Sequence, residues 1–202
     1  MVRRILILRR SRLITWLFAV VVGTLIVLST SRSDEYGLLG DLLFVSGIAL
    51  VGVATVGRLW CSVYISGYKT HTLVTVGPYA VCRNPLYLFS LIGAAGVGLC
   101  TETLTLAALL TAAFLLYYPF LIRAEERDLR QAHGSDFDAY AKNTPRLWPS
   151  FRRYCEPEHY TVNLHVLRRR VLDSMCFVWI IGLLELVEAL HAHHLLPAHF
   201  RL

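Results

Sequence analysis

Apolar residues in this chain are gathered into five blocks: about Leu13 to Thr30, Leu38 to Tyr64, Leu86 to Cys100, Leu104 to Ile122 and Val171 to Leu190. A water-soluble core would spread such residues as helical stripes or strand alternations. Continuous blocks instead suit the hydrocarbon of a bilayer, where only a helix or a closed barrel satisfies its own backbone. The pattern predicts an all-α integral membrane protein of about five transmembrane helices, forming one membrane domain over residues 1–202. At 1.5 Å per residue the third block covers roughly 22 to 25 Å, less than the roughly 30 Å hydrocarbon core, so it is shallow or thins the bilayer locally. The first block follows five arginines like a signal peptide, but no small-x-small cleavage site precedes Ser31, and it reads as a retained anchor.

Only Thr101 to Thr103 separate the third and fourth blocks, which predicts a tight antiparallel hairpin between helices 3 and 4. The run Gly93-Ala94-Ala95-Gly96-Val97-Gly98 on its first arm reads as a close-packing face for a neighbouring helix.

Composition agrees with the block pattern: 55% of the residues are hydrophobic and 17% are charged, against about a quarter charged in an ordinary soluble domain. The five cysteines are scattered, odd in number and contain no C-x-x-C pair, which suggests neither a disulfide framework nor a thiolate metal site. The net charge of +6 comes from basic residues flanking the apolar blocks, where topology and anionic headgroups account for it, and no groove-reading or aromatic-basic motif points to nucleic acid. Five arginines precede the first block, Arg58, Lys69 and Arg83 surround the second loop, and ten basic residues lie between Arg123 and Arg170, leaving Arg32 and Arg201 for the other side. The positive-inside rule places the N-terminus, the 65–85 loop and the 123–170 segment in the cytoplasm and the C-terminus outside.

The chemistry concentrates in those two cytoplasmic segments. In the first, Gly77-Pro78 signals a turn, and Asn84-Pro85 suits a helix N-cap followed by proline at the first helical position. A helix start at the interface offers amide donors to a carboxylate. In the second, Glu125 and Glu126 follow the fourth block, Glu126 and Arg130 are spaced for an i,i+4 ion pair, Gly134 suits a helix stop, and Ser135 with Asp138 suits a capping box. Both segments leave one hairpin, so they are neighbours in space.

Gly77-Pro78-Tyr79, Arg83-Asn84-Pro85-Leu86-Tyr87, Glu125-Glu126, Leu129, His133-Gly134, Phe137, Tyr140 and Arg146-Leu147-Trp148-Pro149 occur in this order. Together they resemble the isoprenylcysteine carboxyl methyltransferase family and, more distantly, the membrane phospholipid methyltransferases. The resemblance covers residues 68–151 as a methyltransferase-like core and leaves 152–202 as a C-terminal extension bearing the fifth helix. It implies a cytoplasmic S-adenosylmethionine site and a lipophilic or lipid-linked acceptor, small molecule or protein, entering between helices: the carboxylate of a prenylated cysteine, a thiol or a lipid headgroup. By that resemblance Gly77, Pro78, Tyr79, Arg83, Asn84, Pro85, Tyr87, Glu125 and Glu126 bind the cofactor, while Arg146 and Glu126 serve catalysis. Tyr79 and Tyr87 offer aromatic faces, Glu125 or Glu126 meets the ammonium or ribose hydroxyls, and Arg83 or the Asn84 helix start meets the carboxylate. Arg146 is the remaining cation for an anionic acceptor group. The family has histidine where this chain has Asn84, and asparagine can give and take hydrogen bonds but cannot carry a proton.

Two rival readings follow from the same residues. Membrane sterol reductases share a related C-terminal arrangement and use NADPH, but Glu125-Glu126 and the Arg-Leu-Trp-Pro ending favour the methyltransferase. Asn84 motivates a non-catalytic membrane protein that keeps the fold. His71 reads as a loop histidine, Arg168-Arg169-Arg170 as a headgroup anchor, and Asp173, Glu185, Glu188, His191, His193, His194 and His199 as polar helix ends in preference to a metal site on the Glu188 and His191 face. The acceptor and the oligomeric state are not specified by the sequence.

Overall fold

The computed structural model describes residues 29–30, 37–66, 72–192 and 200–201. The first apolar block falls outside this range except for its last two residues, as do Lys69, His71 and the histidines 193, 194 and 199. The elements are β1 (Ser29–Thr30), α1 (Leu38–Ile65), α2 (Pro78–Val81), α3 (Pro85–Leu99), α4 (Leu104–His133), α5 (Ser135–Asn143), a 3-10 turn (Phe151–Arg153), α6 (Leu164–Ser174), α7 (Cys176–Ala192) and β2 (Phe200–Arg201). The two strands are a two-residue parallel bridge, and every other element is helical.

Two of these helices, α1 and α4, are long and apolar enough to cross a membrane, and α3 is a shorter apolar helix. Their exposed surface is greasy: Leu42, Val45, Val53 and Val56 on α1 and Leu109, Leu115, Leu116 and Phe120 on α4 all face outward. Such faces are stable where the surroundings are hydrocarbon. The fourth helix does not end with its apolar block at Ile122. It runs on to His133 through a polar stretch of good helix formers until Gly134, at φ +52°, stops it.

α3 packs against α1, and its glycines account for the close approach. A Cβ on Gly96 would lie 2.8 Å from the Gly47 carbonyl oxygen, and one on Gly47 would lie 2.7 Å from the Gly96 carbonyl. Across the hairpin, a Cβ on Gly98 would lie 2.4 Å from the Ala107 Cα. The small-residue run is therefore a helix-packing face, as its composition predicts.

The fifth apolar block is corrected. It forms no single helix over Val171–Leu190 but two, α6 and α7, separated at Met175. Ser174 bonds back to the Arg170 carbonyl and lies 3.4 Å from Ser62 on α1. Arg58 of α1 donates to Ser90 of α3 and to the Asp173 carbonyl, and stacks on the Phe177 ring at 5.5 Å. A cation on the last carbonyls stabilises a helix end, so α6 stops where α1 caps it, and α7, starting at Cys176, seats Phe177 against Gly93.

The segment after the 3-10 turn folds back on the bundle. Tyr160 donates to the Tyr64 carbonyl, the Gly77 amide donates to the Cys155 carbonyl at 2.8 Å, and the Asn163 amide donates to the Ser66 carbonyl. The Tyr64 and Tyr154 hydroxyls both donate to Glu156. These hydrogen bonds, Tyr154 first, hold the Glu156 carboxyl below the ordinary glutamate range. A lowered folded pKa means stabilisation that is present above the unfolded value and is lost as pH falls through the folded one.

Two predictions follow from this packing. Gly96→Leu should lower the thermal stability of the detergent-solubilised protein by an overpacking cost of about 1 to 3 kcal/mol, while Gly52→Ala, which meets no neighbouring atom, should be neutral or slightly stabilising in the same melt. In hydrogen exchange at neutral pH, Glu156→Gln should speed exchange at Gly77 and across 154–163. That difference from the wild type should vanish at a pH well below the ordinary glutamate range.

Candidate functional site

Three segments meet at one carboxylate. Glu126 stands on the polar extension of α4, one turn past the buried Ile122, and its side chain is only 14% exposed. Arg146 reaches one oxygen at 2.9 Å, Arg83 approaches the other at 3.6 Å, and the Asn84 amide donates to that same oxygen at 3.0 Å. Asn84 Nδ2 also donates to the Arg146 carbonyl at 2.9 Å, and the Arg83 amide donates to the Pro145 carbonyl at 2.8 Å. The loop before α3, the end of α4 and the segment after α5 are thus knotted together through side chains and backbone at once.

The local sequence explains how each residue arrives there. Gly77 holds φ +59° against the Tyr64 ring, where a Cβ would lie 2.4 Å from the phenol carbon, and it lets Pro78 open the short α2. Pro85 then starts α3, its missing N–H being one that the first helical turn leaves unpaired in any case. Asn84 occupies the N-cap position, but its side chain does not cap the helix. The expected cap is corrected: the amide turns across to Glu126 and Arg146, where a half-buried carboxylate and a carbonyl offer it stronger partners than its own helix.

Two further expectations are corrected on the same ground. Glu126 does not pair with Arg130 one turn on. Arg130 instead bonds Asp138 of α5 at 2.7 Å and lies over the Phe137 ring at 5.5 Å. Asp138 therefore cannot close a capping box with Ser135, and Gly134 is the residue before α5 with no side-chain cap. Exposed i,i+4 pairs contribute only a few tenths of a kcal/mol, so a buried clamp on Glu126 readily outcompetes one.

Around the clamp lie the tyrosines. Tyr140 donates to the Tyr79 carbonyl at 2.7 Å, fastening α5 to α2, and Phe137 beside it is buried. Burial pushes both the Tyr79 and Tyr140 phenols above their ordinary range, so both stay protonated. The Tyr87 hydroxyl donates to Glu125 at 2.9 Å, and its ring meets Tyr118 edge-on at 5.0 Å. Glu125 is exposed, in contrast to Glu126. Burial pushes the Cys82 thiol up to about 11, which leaves it neutral and poorly nucleophilic at physiological pH.

The nine residues expected at the cofactor and Arg146 all fall at this end of the bundle. Arg83, Asn84, Glu126 and Arg146 share direct contacts, while Tyr87 with Glu125 forms a second pair. Two buried donors at the clamp, Arg83 Nε and Arg146 Nε, have no hydrogen-bond partner among the described residues, which leaves capacity for a ligand's acceptor oxygen. The returning segment 154–163 stands outside every motif of the sequence. Tyr154, Glu156 and Tyr160 in an otherwise polar stretch were its visible signal. A cavity of about 370 Å³ beside the clamp, lined by Phe120, Arg123, Glu126, Arg127, Arg130 and Arg146, is likewise formed by tertiary packing that no local spacing signals. Among the described residues no group of three or more histidine, cysteine, aspartate or glutamate side chains is placed to hold a metal ion.

Residues 36–136, which carry α1, the loop, the hairpin and Glu126, match the family model described as phospholipid methyltransferase. The cobalt-zinc-cadmium resistance protein CzcN of Cupriavidus metallidurans is 44% identical over 153 residues, covering 76% of this chain and 69% of that protein. The nickel-cobalt-cadmium resistance protein NccN of Alcaligenes xylosoxydans xylosoxydans is 42% identical over 184 residues, covering 90% and 84%. No solved structure matches the chain. Of the two families that the motif order resembles, the matched one is the second, and the chain belongs to the phospholipid methyltransferase family.

Proposed function

We propose that this protein transfers the methyl group of S-adenosylmethionine to a lipophilic or lipid-linked acceptor at the cytoplasmic face of the membrane. The observation that carries the reading is the convergence of Arg83, Asn84 and Arg146 on the half-buried Glu126, in a chain of the phospholipid methyltransferase family. The basic segments flanking the apolar blocks support a cytoplasmic position for this end of the bundle.

The donor set fits such a cofactor. S-adenosylmethionine, when bound, supplies a methyl group activated on a positively charged sulfur that leaves as a neutral thioether. The exposed Glu125, oriented by Tyr87, is the acceptor for an ammonium or for ribose hydroxyls. The unpartnered Nε–H of Arg83 is the donor for a carboxylate. Glu126 is already engaged by two guanidiniums, so its part is to hold Arg83 and Arg146 in place. Arg146, with its own unpartnered Nε–H, orients an anionic group of the acceptor. In-line displacement needs alignment and desolvation more than proton transfer, which Tyr79, Tyr87 and the flanking helices provide by excluding water.

Asn84 is compatible with this role. Its amide makes two donor bonds that tie the loop to Glu126 and Arg146, work that a hydrogen-bonding side chain performs without titrating. The two relatives are named for resistance to cobalt, zinc, cadmium and nickel. We carry that setting to this chain, with the methylated acceptor a component of a membrane exposed to such metals.

Calorimetric titration of the detergent-solubilised protein with S-adenosylmethionine and S-adenosylhomocysteine tests the reading. Saturable binding below millimolar concentration is expected, and Glu126→Ala should weaken it about tenfold or more, because Arg83 and Arg146 lose the carboxylate that holds them in place. Absence of binding by either compound would refute the enzymatic reading. Unchanged affinity in Glu126→Ala would remove the clamp from it.

A further inference from the structure

The loop that carries Tyr79, Arg83 and Asn84 does not hold its own shape. Between Ile65 and Pro85 its one regular element among the described residues is the four-residue α2, and an isolated helix that short does not persist in water. Its backbone groups need partners from elsewhere.

Those partners come from the chain after α5, along one antiparallel course. The Arg83 amide donates to the Pro145 carbonyl at 2.8 Å, and the Ser150 amide donates to the Val81 carbonyl at 3.0 Å. Further along, the Gly77 amide donates to the Cys155 carbonyl at 2.8 Å, and the Asn163 amide donates to the Ser66 carbonyl at 3.2 Å. The partners step down the loop as they step up the other chain. The first two bonds lie beside the clamp, where Arg146 and Asn84 already tie both chains to Glu126. The last two hold the end of the loop that the clamp does not reach. They belong to the segment 154–163, which lies beyond residue 136, where the match to the family ends.

Tyr64 is the hub of that far end. It stands in the last turn of α1 and is 5% exposed. Its ring fills the space beside Gly77, and its hydroxyl donates to Glu156. Its carbonyl accepts from the Tyr160 hydroxyl at 2.8 Å, with the two rings 4.8 Å apart. The other Glu156 oxygen accepts from Tyr154 at 2.6 Å, and the Tyr154 ring reaches Trp60 of α1 at 6.3 Å. A membrane helix thus grips the segment, and the segment grips the loop. Glu156 and Tyr154 are exposed, so their bonds exchange readily with water and contribute little to the cohesion of the bundle. Their effect falls on the position of what they tie.

We propose that the segment 154–163 is a splint for the site, with Tyr64, Glu156 and Tyr160 as positioning residues that hold the loop where Arg83 and Asn84 meet Glu126. The identity of the ligand rests on the methyltransferase reading, and the splint rests on the bonds above. A loop held at one end alone samples many positions and offers the competent one for part of the time. The apparent affinity of a ligand falls by that fraction.

The full chain in detergent is titrated calorimetrically with S-adenosylhomocysteine. Tyr160→Phe, which keeps the ring pair and deletes the hydroxyl, and Glu156→Ala should each weaken affinity about threefold or more, the effect of one lost hydrogen bond. Their melting curves should match that of the wild type. The control Glu158→Gln removes an exposed carboxylate outside these bonds and should leave affinity within about twofold. Hydrogen exchange without ligand should quicken in Tyr160→Phe at Gly77 and also at Arg83, beside the clamp, while α3 keeps its protection. A general loss of stability would not be confined to the loop. Wild-type affinity in both variants, a matching fall in melting temperature, or an equal loss in Glu158→Gln would overturn the splint. If the wild type does not bind the probe, the methyltransferase reading fails and exchange at Arg83 decides the splint alone: quickened exchange upholds it, and unchanged exchange overturns it.

Discussion

A carboxylate only 14% exposed has little water for its oxygens, and Glu126 obtains partners for them from two segments outside its own helix. Arg83 and Arg146 supply the counter-charge and Asn84 supplies an N–H. Removing one partner of such a group strands charge in a poorly hydrated place, which is expensive, so the segments that carry the partners are held together. Everything distinctive at this end of the bundle depends on that requirement. It fixes where the loop before α3 lies, draws the chain after α5 back across α4, and diverts Asn84 from the helix it precedes.

The apolar scaffold makes the requirement possible to meet. Close approach of α1 and α3 at Gly47 and Gly96, and of α3 and α4 at Gly98, sets the spacing of the hairpin. From this hairpin the loop and the α4 extension emerge side by side. Arg58 ties α1, α3 and the α6 end into one unit, and the returning segment seals the outside through Tyr64, Gly77 and Glu156. The result is a rigid framework that ends in a cluster of charge. A bilayer protein places its cationic residues at such an end, and this one uses them to shape a cavity.

Much of this was legible in the sequence. Apolar blocks gave the positions of α1, α3 and α4, the three-residue link gave the hairpin, and the glycine run gave its packing face. The order of motifs brought Arg83, Asn84, Glu126 and Arg146 to one end before any contact was known. Other features were not legible, for physical reasons. Local spacing offers Glu126 the i,i+4 partner Arg130 and offers Asn84 a helix to cap, yet both side chains choose distant partners because burial makes tertiary ion pairs worth more than exposed local ones. Hydropathy alone ran Val171–Leu190 together, since the break at Met175 is set by Ser62 and Arg58 on another helix. The arginines 123, 127 and 130 looked like a topology signal, because nothing in one helix face tells that Arg146 closes a cavity over it.

The claim on which this account turns is that Glu126 and Arg146 are energetically coupled and act as one structural unit. A double-mutant cycle measures this directly: equilibrium unfolding in detergent of the wild type, Glu126→Gln, Arg146→Gln and the double variant. The predicted coupling energy is about 1 kcal/mol or more, allowing for the partial exposure of Arg146. A coupling within about 0.3 kcal/mol of zero, the range of independent sites, would contradict the account.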